Sequence, residues 1–241
     1  MDVSIVIPVK DEADSVEPLI RETRAALDGR VEYEIIYVDD GSTDDTVERL
    51  LRVRQQGCDA LRILQHPRPC GQSTAIYTGV EAAWGRWIVT MDGDGQNDPA
   101  DIPRLLEVAR RQAPVSEPFL VAGYRKHRHD SWLRRLSSRI ANAVRSRLLA
   151  DEAPDTGCGL KLFSRDGFFL LPYFDHMHRF LPALVRRHGG QVIQVEVRHR
   201  PRLNGRSKYG LHNRLWVGLA DLAGVMWLIR RTRLPGKVRE L

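Results

Sequence analysis

Val3–Glu12 reads VSIVIPVKDE. From Val3 to Val9 the residues are almost all apolar and mostly β-branched, and the run ends in charged ones, as in a strand buried on both faces. Such a strand belongs in a sheet covered by helices on two sides. Directly downstream, Asp14 and Glu17 have the form of a capping box. Leu19, Ile20, Thr23 and Leu27 then continue at helical spacing to Gly29, which predicts a helix after the first strand.

The unit repeats along the chain. Tyr33–Val38 reads as a strand, a helix opens at Thr43 to Asp45, Leu61–Leu64 reads as a strand, a helix follows Gly71, and Trp87–Met91 reads as a strand. Two further strands are predicted at Phe119–Gly123 and Gln191–Val197. This alternation predicts an α/β fold with a mainly parallel central sheet. With 241 residues, 42% of them hydrophobic, the chain can bury one substantial core, and one domain is expected.

In parallel sheets ligands bind beyond the carboxyl ends of the strands. Those ends are chemically unusual here. The first strand runs into Pro8-Val9-Lys10-Asp11-Glu12, the second into Asp39-Asp40-Gly41-Ser42-Thr43-Asp44, and the one at Trp87 into Asp92-Gly93-Asp94-Gly95-Gln96. Any one of these loops is also what an ordinary turn looks like. Three carboxylate-rich loops on one rim, however, repel each other unless they share a cation or accept hydrogen bonds from a ligand. Asp92, Asp94 and Gln96 place three oxygen donors on alternate positions, a hard set suited to Mg²⁺ or Mn²⁺ shared with a diphosphate.

The net charge of +6 and pI near 9.5 call for an anionic partner. Basic residues concentrate in Arg125–Arg147 and Arg198–Arg214. Nucleic acid accounts for the charge but not for an acidic rim that repels phosphates, so no nucleic-acid partner is expected. Three cysteines, Cys58, Cys70 and Cys158, are too few and too unevenly spaced for a disulfide framework or a zinc site, and fit a reducing compartment. The eight histidines show no zinc-like spacing with them, and His176 and His178 are expected on a helix surface or loop. The first residues lack a basic leader and read as the first strand rather than a secretory signal.

Leu215–Ile229 is the most apolar run, with Trp216 and Trp227 inside it and Arg214, Arg230, Arg231 and Arg233 around it. As a helix it reaches roughly 22 Å, short of a hydrocarbon core of roughly 30 Å. An interfacial helix is expected, with a core helix or a subunit contact as the alternatives.

The motifs VSIVIPVKDE, IIYVDDGSTDDT, GQSTAIYTGVEAAWGRWIVTMDGDGQNDP, GYR, DTGCGLKLFSR and NGRSKYG, in this order over about Val3 to Tyr209, resemble glycosyltransferase family 2 and its polyprenyl-phosphate (dolichol-phosphate mannosyltransferase-like) members. The resemblance implies a GT-A type nucleotide-diphosphosugar transferase domain over residues 1–211, followed by an apolar and basic helix in 212–241. It implies that Pro8, Glu12, Asp39, Asp40 and Asp92 hold a GDP- or UDP-linked sugar and that Asp92, Asp94 and Gln96 bind Mg²⁺ or Mn²⁺. It also implies that Arg125, Arg134 and Lys208 meet donor and acceptor phosphates. For Arg139 and Arg145 a solvated helix face is expected. Two stretches depart from the family pattern: the first loop reads Pro8-Val9-Lys10-Asp11-Glu12 where many relatives have an aromatic and Asn before the Glu, and Gly93 and Gly95 stand where relatives often have Ala and Leu.

The implied reaction is inverting transfer of a mannose- or glucose-type sugar to a polyprenyl phosphate, by a protein peripheral on the cytoplasmic face of a membrane. The alternative is transfer to a hydroxyl, which needs a general base, and Asp155 is the candidate for that role or for a supporting one.

Overall fold

The structure, a computed structural model, describes residues 1–112, 118–125, 145–149, 151, 153, 155–201 and 211–231, the backbone alone for 211–216. Among them lie seven strands: β1 (Val3–Val9), β2 (Tyr33–Asp39), β3 (Leu61–Gln65), β4 (Trp87–Thr90), β5 (Phe119–Tyr124), β6 (Lys161–Ser164) and β7 (Gln191–Glu196). They form one sheet in the order β3-β2-β1-β4-β6-β5-β7. Every neighbouring pair is parallel except the two that involve β6. This is a single α/β domain with a mostly parallel sheet, as the alternation predicts.

Helices α1 (Ala13–Leu27), α2 (Thr46–Gln55), α3 (Gln72–Ala82), α4 (Ile102–Gln112), α5 (Arg165–Phe169), α6 (Leu181–Arg187) and α7 (Leu211–Arg231) cover the sheet. Successive strand residues point to opposite faces, so β1 feeds two cores. Val3, Ile5, Ile7 and Val9 pack with Val16, Leu19 and Leu27 of α1 and Leu105 and Ala109 of α4. On the other face Val6 joins a core with Ala75 and Val80 of α3, a core that extends to Leu184 of α6 and Val225 of α7. That two-sided burial is why the strand is apolar at nearly every position, and each fully buried Val, Leu or Ile contributes about 1.5–3 kcal/mol.

Two local expectations are corrected. Helix α1 begins at Ala13, so Asp14 lies within its first turn, where its carboxylate pairs with Arg49 at 3.1 Å. The helix end is served across the chain instead: Asp44 Oδ2 accepts from the Ala13 amide at 3.3 Å. Helix α7 is longer than the apolar run, at 21 residues, because it takes in Leu211, His212, Asn213 and Arg214 at one end and Arg230 and Arg231 at the other. Its length of about 31 Å would match a membrane core. Its polar ends do not, and no described helix is long and apolar enough to cross a membrane.

Candidate active site

The rim is built by loops that fasten each other. At the end of β1, Asp11 takes a left-handed backbone (φ 51°), a strained conformation for this residue held by contacts from the next unit. Its amide donates to Ser42 Oγ at 2.8 Å, and its carboxylate accepts from the Thr43 amide at 2.7 Å. The Glu12 amide donates to Thr46 Oγ1 at 3.0 Å. Asp39 accepts from the Ser42 amide at 3.2 Å and from Gln65 Nε2 at 3.3 Å. Asp40 accepts from the amides of Cys70 and Gly71 at 2.7 and 2.8 Å and lies 2.9 Å from His66 Nδ1. Burial works against the Asp40 charge, but these hydrogen bonds outweigh it and hold the carboxyl below its ordinary range. The structure thus brings Pro8, Glu12, Asp39 and Asp40 to one rim, with Asp39 and Asp40 also fastening its loops.

After β4 the chain enters Met91-Asp92-Gly93-Asp94. Gln72, at the start of α3, donates to Asp92 Oδ1 at 2.9 Å, and the Asp92 amide donates to Asn97 Oδ1 at 3.1 Å. Asp94 Oδ1 accepts from the Gln96 amide at 3.0 Å, which closes the turn. Burial first, and then the charge of Asp94, push the Asp92 carboxyl above its ordinary value, against the opposing charges of Lys161 and Arg125. Two carboxylates forced together in a half-buried setting are a site short of positive charge, and the hard oxygen donors fit Mg²⁺ or Mn²⁺.

The antiparallel strand β6 explains the other wall. Because it runs against its neighbours, its first residue, Lys161, pairs with Thr90 at the end of β4. The segment before it, Asp155–Leu160, therefore arrives at the same rim as Asp92. Gly159 lies against Asp92: a Cβ there would be 2.3 Å from Oδ2. Asp155 accepts three hydrogen bonds from Arg125, at 2.6 Å from Nε, 2.8 Å from Nη2 and 3.2 Å from the amide. Burial opposes the Arg125 charge, and Asp155 outweighs it and raises the guanidinium above its ordinary value. Of the two roles read for Asp155, this geometry supports the supporting one.

Three residues not expected at the site line a small cavity beside Asp92: Gln72, Lys161 and His178. Lys161 is 4% exposed, its ammonium donates to the carbonyls of Thr156 and Cys158, and burial lowers it below its ordinary value. His178, in the short turn Met177–Arg179, places Nδ1 2.7 Å from Ser73 Oγ. Burial, then the charges of Lys161, Arg179 and His176, push it well below the usual histidine range. Arg145, expected on a solvated face, is instead paired at 2.6 Å with the fully buried Asp151. Arg134, Arg139 and Lys208 lie outside the described residues.

Residues 4–169 match the family described as Glycosyl transferase family 2. The chain belongs to glycosyltransferase family 2. Among curated family relatives, the dodecaprenyl-phosphate galacturonate synthase of Rhizobium johnstonii is 37% identical over 98% of this chain and 70% of its own. The undecaprenyl-phosphate 4-deoxy-4-formamido-L-arabinose transferase of Edwardsiella ictaluri is 36% identical over 87% of this chain. This match spans 63% of the relative. Among solved structures, glucosyl-3-phosphoglycerate synthase from Mycobacterium tuberculosis with Mn²⁺, UDP-glucose and glycerol 3-phosphate superposes with a TM-score of 0.66 at 21% identity. That superposition covers 95% of this chain and 79% of the other. At that identity it establishes the GT-A fold alone.

Proposed function

We propose that this family 2 enzyme moves a sugar from a nucleoside diphosphate sugar to a polyprenyl phosphate, with inversion. The observation that carries the acceptor reading is the three-bond hold of Arg125 on Asp155. A hydroxyl acceptor requires a base, and the carboxylate nearest that role is engaged by a guanidinium. A phosphate acceptor is already anionic and requires none. The two named polyprenyl-phosphate relatives support the same acceptor class.

In the proposed reaction a phosphate oxygen of the acceptor forms a bond to the anomeric carbon as the bond from that carbon to the donor's diphosphate breaks. The electron pair leaves with the nucleoside diphosphate. Asp92 and Asp94, with Gln96, would hold Mg²⁺ or Mn²⁺, which supplies charge neutralisation to that leaving group. Arg125, oriented by Asp155, presents a fixed cation to phosphate oxygens, a task for which its planar fork is suited. Pro8, Glu12, Asp39 and Asp40 form the wall for the nucleotide. Arg134 and Lys208 are assigned to the phosphates by family likeness.

The outer face of α7 supports peripheral membrane contact. Val217, Leu219 and Trp227 are exposed there, Trp227 at 59%, and the helix ends in Arg230 and Arg231. Apolar anchors beside basic residues are what an anionic leaflet binds. With its three free cysteines, the chain fits the cytoplasmic face.

The test is incubation of enzyme and Mn²⁺ with labelled donors and either undecaprenyl phosphate or the free polyprenol. The donors are GDP-mannose, UDP-glucose, and nucleotide-linked galacturonate and 4-deoxy-4-formamido-arabinose. Label should enter the organic phase only with the phosphate. No lipid product with any donor would defeat this reading in favour of a hydroxyl acceptor.

A further inference from the structure

Outside the Asp92–Asp94 pair, a second cluster of ligand-bearing side chains stands at the edge of the rim. One carboxylate oxygen of Asp40, one ring nitrogen of His66 and the Sγ of Cys70 all lie within 4.8 Å of one another. We propose that Asp40, His66 and Cys70 form a binding site for a thiophilic divalent cation such as Zn²⁺ or Cd²⁺, and that its occupancy inhibits the enzyme.

The geometry is close to what such an ion needs. Asp40 Oδ1 and His66 Nδ1 are 2.9 Å apart, linked through one proton. Tetrahedral zinc holds a carboxylate oxygen and an imidazole nitrogen about 3.4 Å apart, so an ion replaces that proton if the two groups part by about 0.5 Å. Cys70 is exposed, and its thiol donates to the Arg68 carbonyl at 3.3 Å, a weak surface contact that it gives up when the sulfur turns about χ1 to the third position. Supporting contacts are already in place. His66 Nε2 lies 3.0 Å from Thr78 Oγ1, which accepts the ring proton once Nδ1 binds the ion. The Asp40 carboxylate is oriented by two backbone amides. Ligand histidines and carboxylates are held in this way in metal sites. One nitrogen, one oxygen and one sulfur select a softer ion than the all-oxygen set around Asp92, so the two sites prefer different metals.

The consequence for turnover follows from chain connectivity. Asp40 holds the amides of Cys70 and Gly71, and the next residue, Gln72, holds Asp92. An ion that draws Asp40 and the Cys70 sulfur together shifts the turn that carries Gln72, and with it a residue assigned to the catalytic metal. The inhibition rests on the proposed function. The binding site does not.

The experiment titrates Cd²⁺ into metal-stripped full-length protein and follows the ultraviolet cadmium–thiolate absorption in wild type, Cys70→Ser and His66→Gln, with melting curves to confirm folding. A single equivalent should bind to wild type with the band. The band should vanish in Cys70→Ser, and binding should weaken at least tenfold in His66→Gln, which keeps the thiol. In transfer assays Zn²⁺ should inhibit wild type at concentrations that spare Cys70→Ser, whose basal turnover is unchanged. A band of full strength in Cys70→Ser overturns the proposal, as does undiminished affinity in His66→Gln or equal inhibition of both proteins. The absorption measurement needs neither donor nor acceptor, so a wrong substrate assignment appears separately, as an absence of transfer in every protein.

Discussion

Gly159 stands so close to Asp92 that a Cβ on it would lie 2.3 Å from Oδ2 and 2.6 Å from Oδ1. Asp92 is paired laterally by Gln72, so its carboxylate is fixed between a side-chain amide and a bare backbone. Gly159→Ala must push that carboxylate aside. Displacement of a reacting group by about 1 Å costs on the order of 10²-fold in rate. Turnover should therefore fall by about that factor and the concentration of Mn²⁺ at half-activation should rise, while the melting temperature changes by only a few degrees. Metal titration of initial rates beside thermal melting checks this.

Asp94→Asn replaces a charged oxygen donor by a neutral one and relieves the repulsion that Asp92 feels. The fold should hold, because the turn needs only one acceptor for the Gln96 amide and asparagine supplies it. Turnover and the metal-dependent part of nucleotide binding should be lost. Near-normal activity with Mg²⁺ would remove Asp94 from the metal site.

His178 sets a pH dependence of stability. Its folded pKa is pushed well below the ordinary value by burial and by neighbouring positive charge. Below the ordinary histidine pKa the unfolded chain binds a proton that the folded chain refuses. Stability is therefore fully present above about pH 6.5 and is lost as pH falls, by at most about 1.4 kcal/mol per unit. His178→Gln, which can still bond Ser73, should flatten that slope between about pH 6.5 and 5. Denaturant midpoints across this range measure it, and an unchanged slope would place the titration elsewhere.

If the outer face of α7 meets lipid, Leu219→Ser with Trp227→Ser should weaken sedimentation with anionic vesicles without lowering the melting temperature, since both side chains are exposed. Core packing of this face predicts the reverse. The inner face, with Val225 at 1% exposure, is where a Ser substitution should destabilise.

The sheet was legible because strands buried on both faces spell themselves as apolar runs, and β1, β2 and β4 each carry such a run. The carboxylate loops were legible because parallel strands end on one side. What escaped reading was set by distant partners. Strand β6, KLFS, has four residues and carries a buried lysine, so neither length nor alternation marks it. Yet its antiparallel direction is what brings Lys161, Gly159 and Asp155 to Asp92. Helix α1 starts one residue before Asp14, at Ala13, where Asp44 of another unit accepts its first amide. Arg145 read as solvated because its partner Asp151 is invisible as a partner until the chain turns back. Spacing likewise could not show that Asp40, His66 and Cys70 come together, because they meet only through the ends of β2 and β3 and the turn into α3.

The acceptor decides what Asp155 must do. Its two oxygens take three hydrogen bonds from Arg125, and the two side chains are only 11% and 7% exposed. Removing one charge from such a pair leaves the other uncompensated, at about 3 kcal/mol of stability, so folding of every variant is first confirmed by circular dichroism. Asp155→Asn keeps one oxygen for Arg125 and offers an amide where the second stood. As a positioning residue it should cost roughly tenfold in turnover by loosening a guanidinium that meets phosphate, and the pH profile of kcat/KM should keep its shape. As a general base it should cost 10²-fold or more and lose the acidic limb of the profile, because no titrating group remains to take the proton. Arg125→Lys sharpens the contrast: it keeps the charge but not the fork, and it should raise KM for a phosphate acceptor while a free polyprenol remains inert with every protein. Transfer to polyprenol by wild type, abolished in Asp155→Asn with its acidic limb, would make Asp155 the base and the acceptor a hydroxyl.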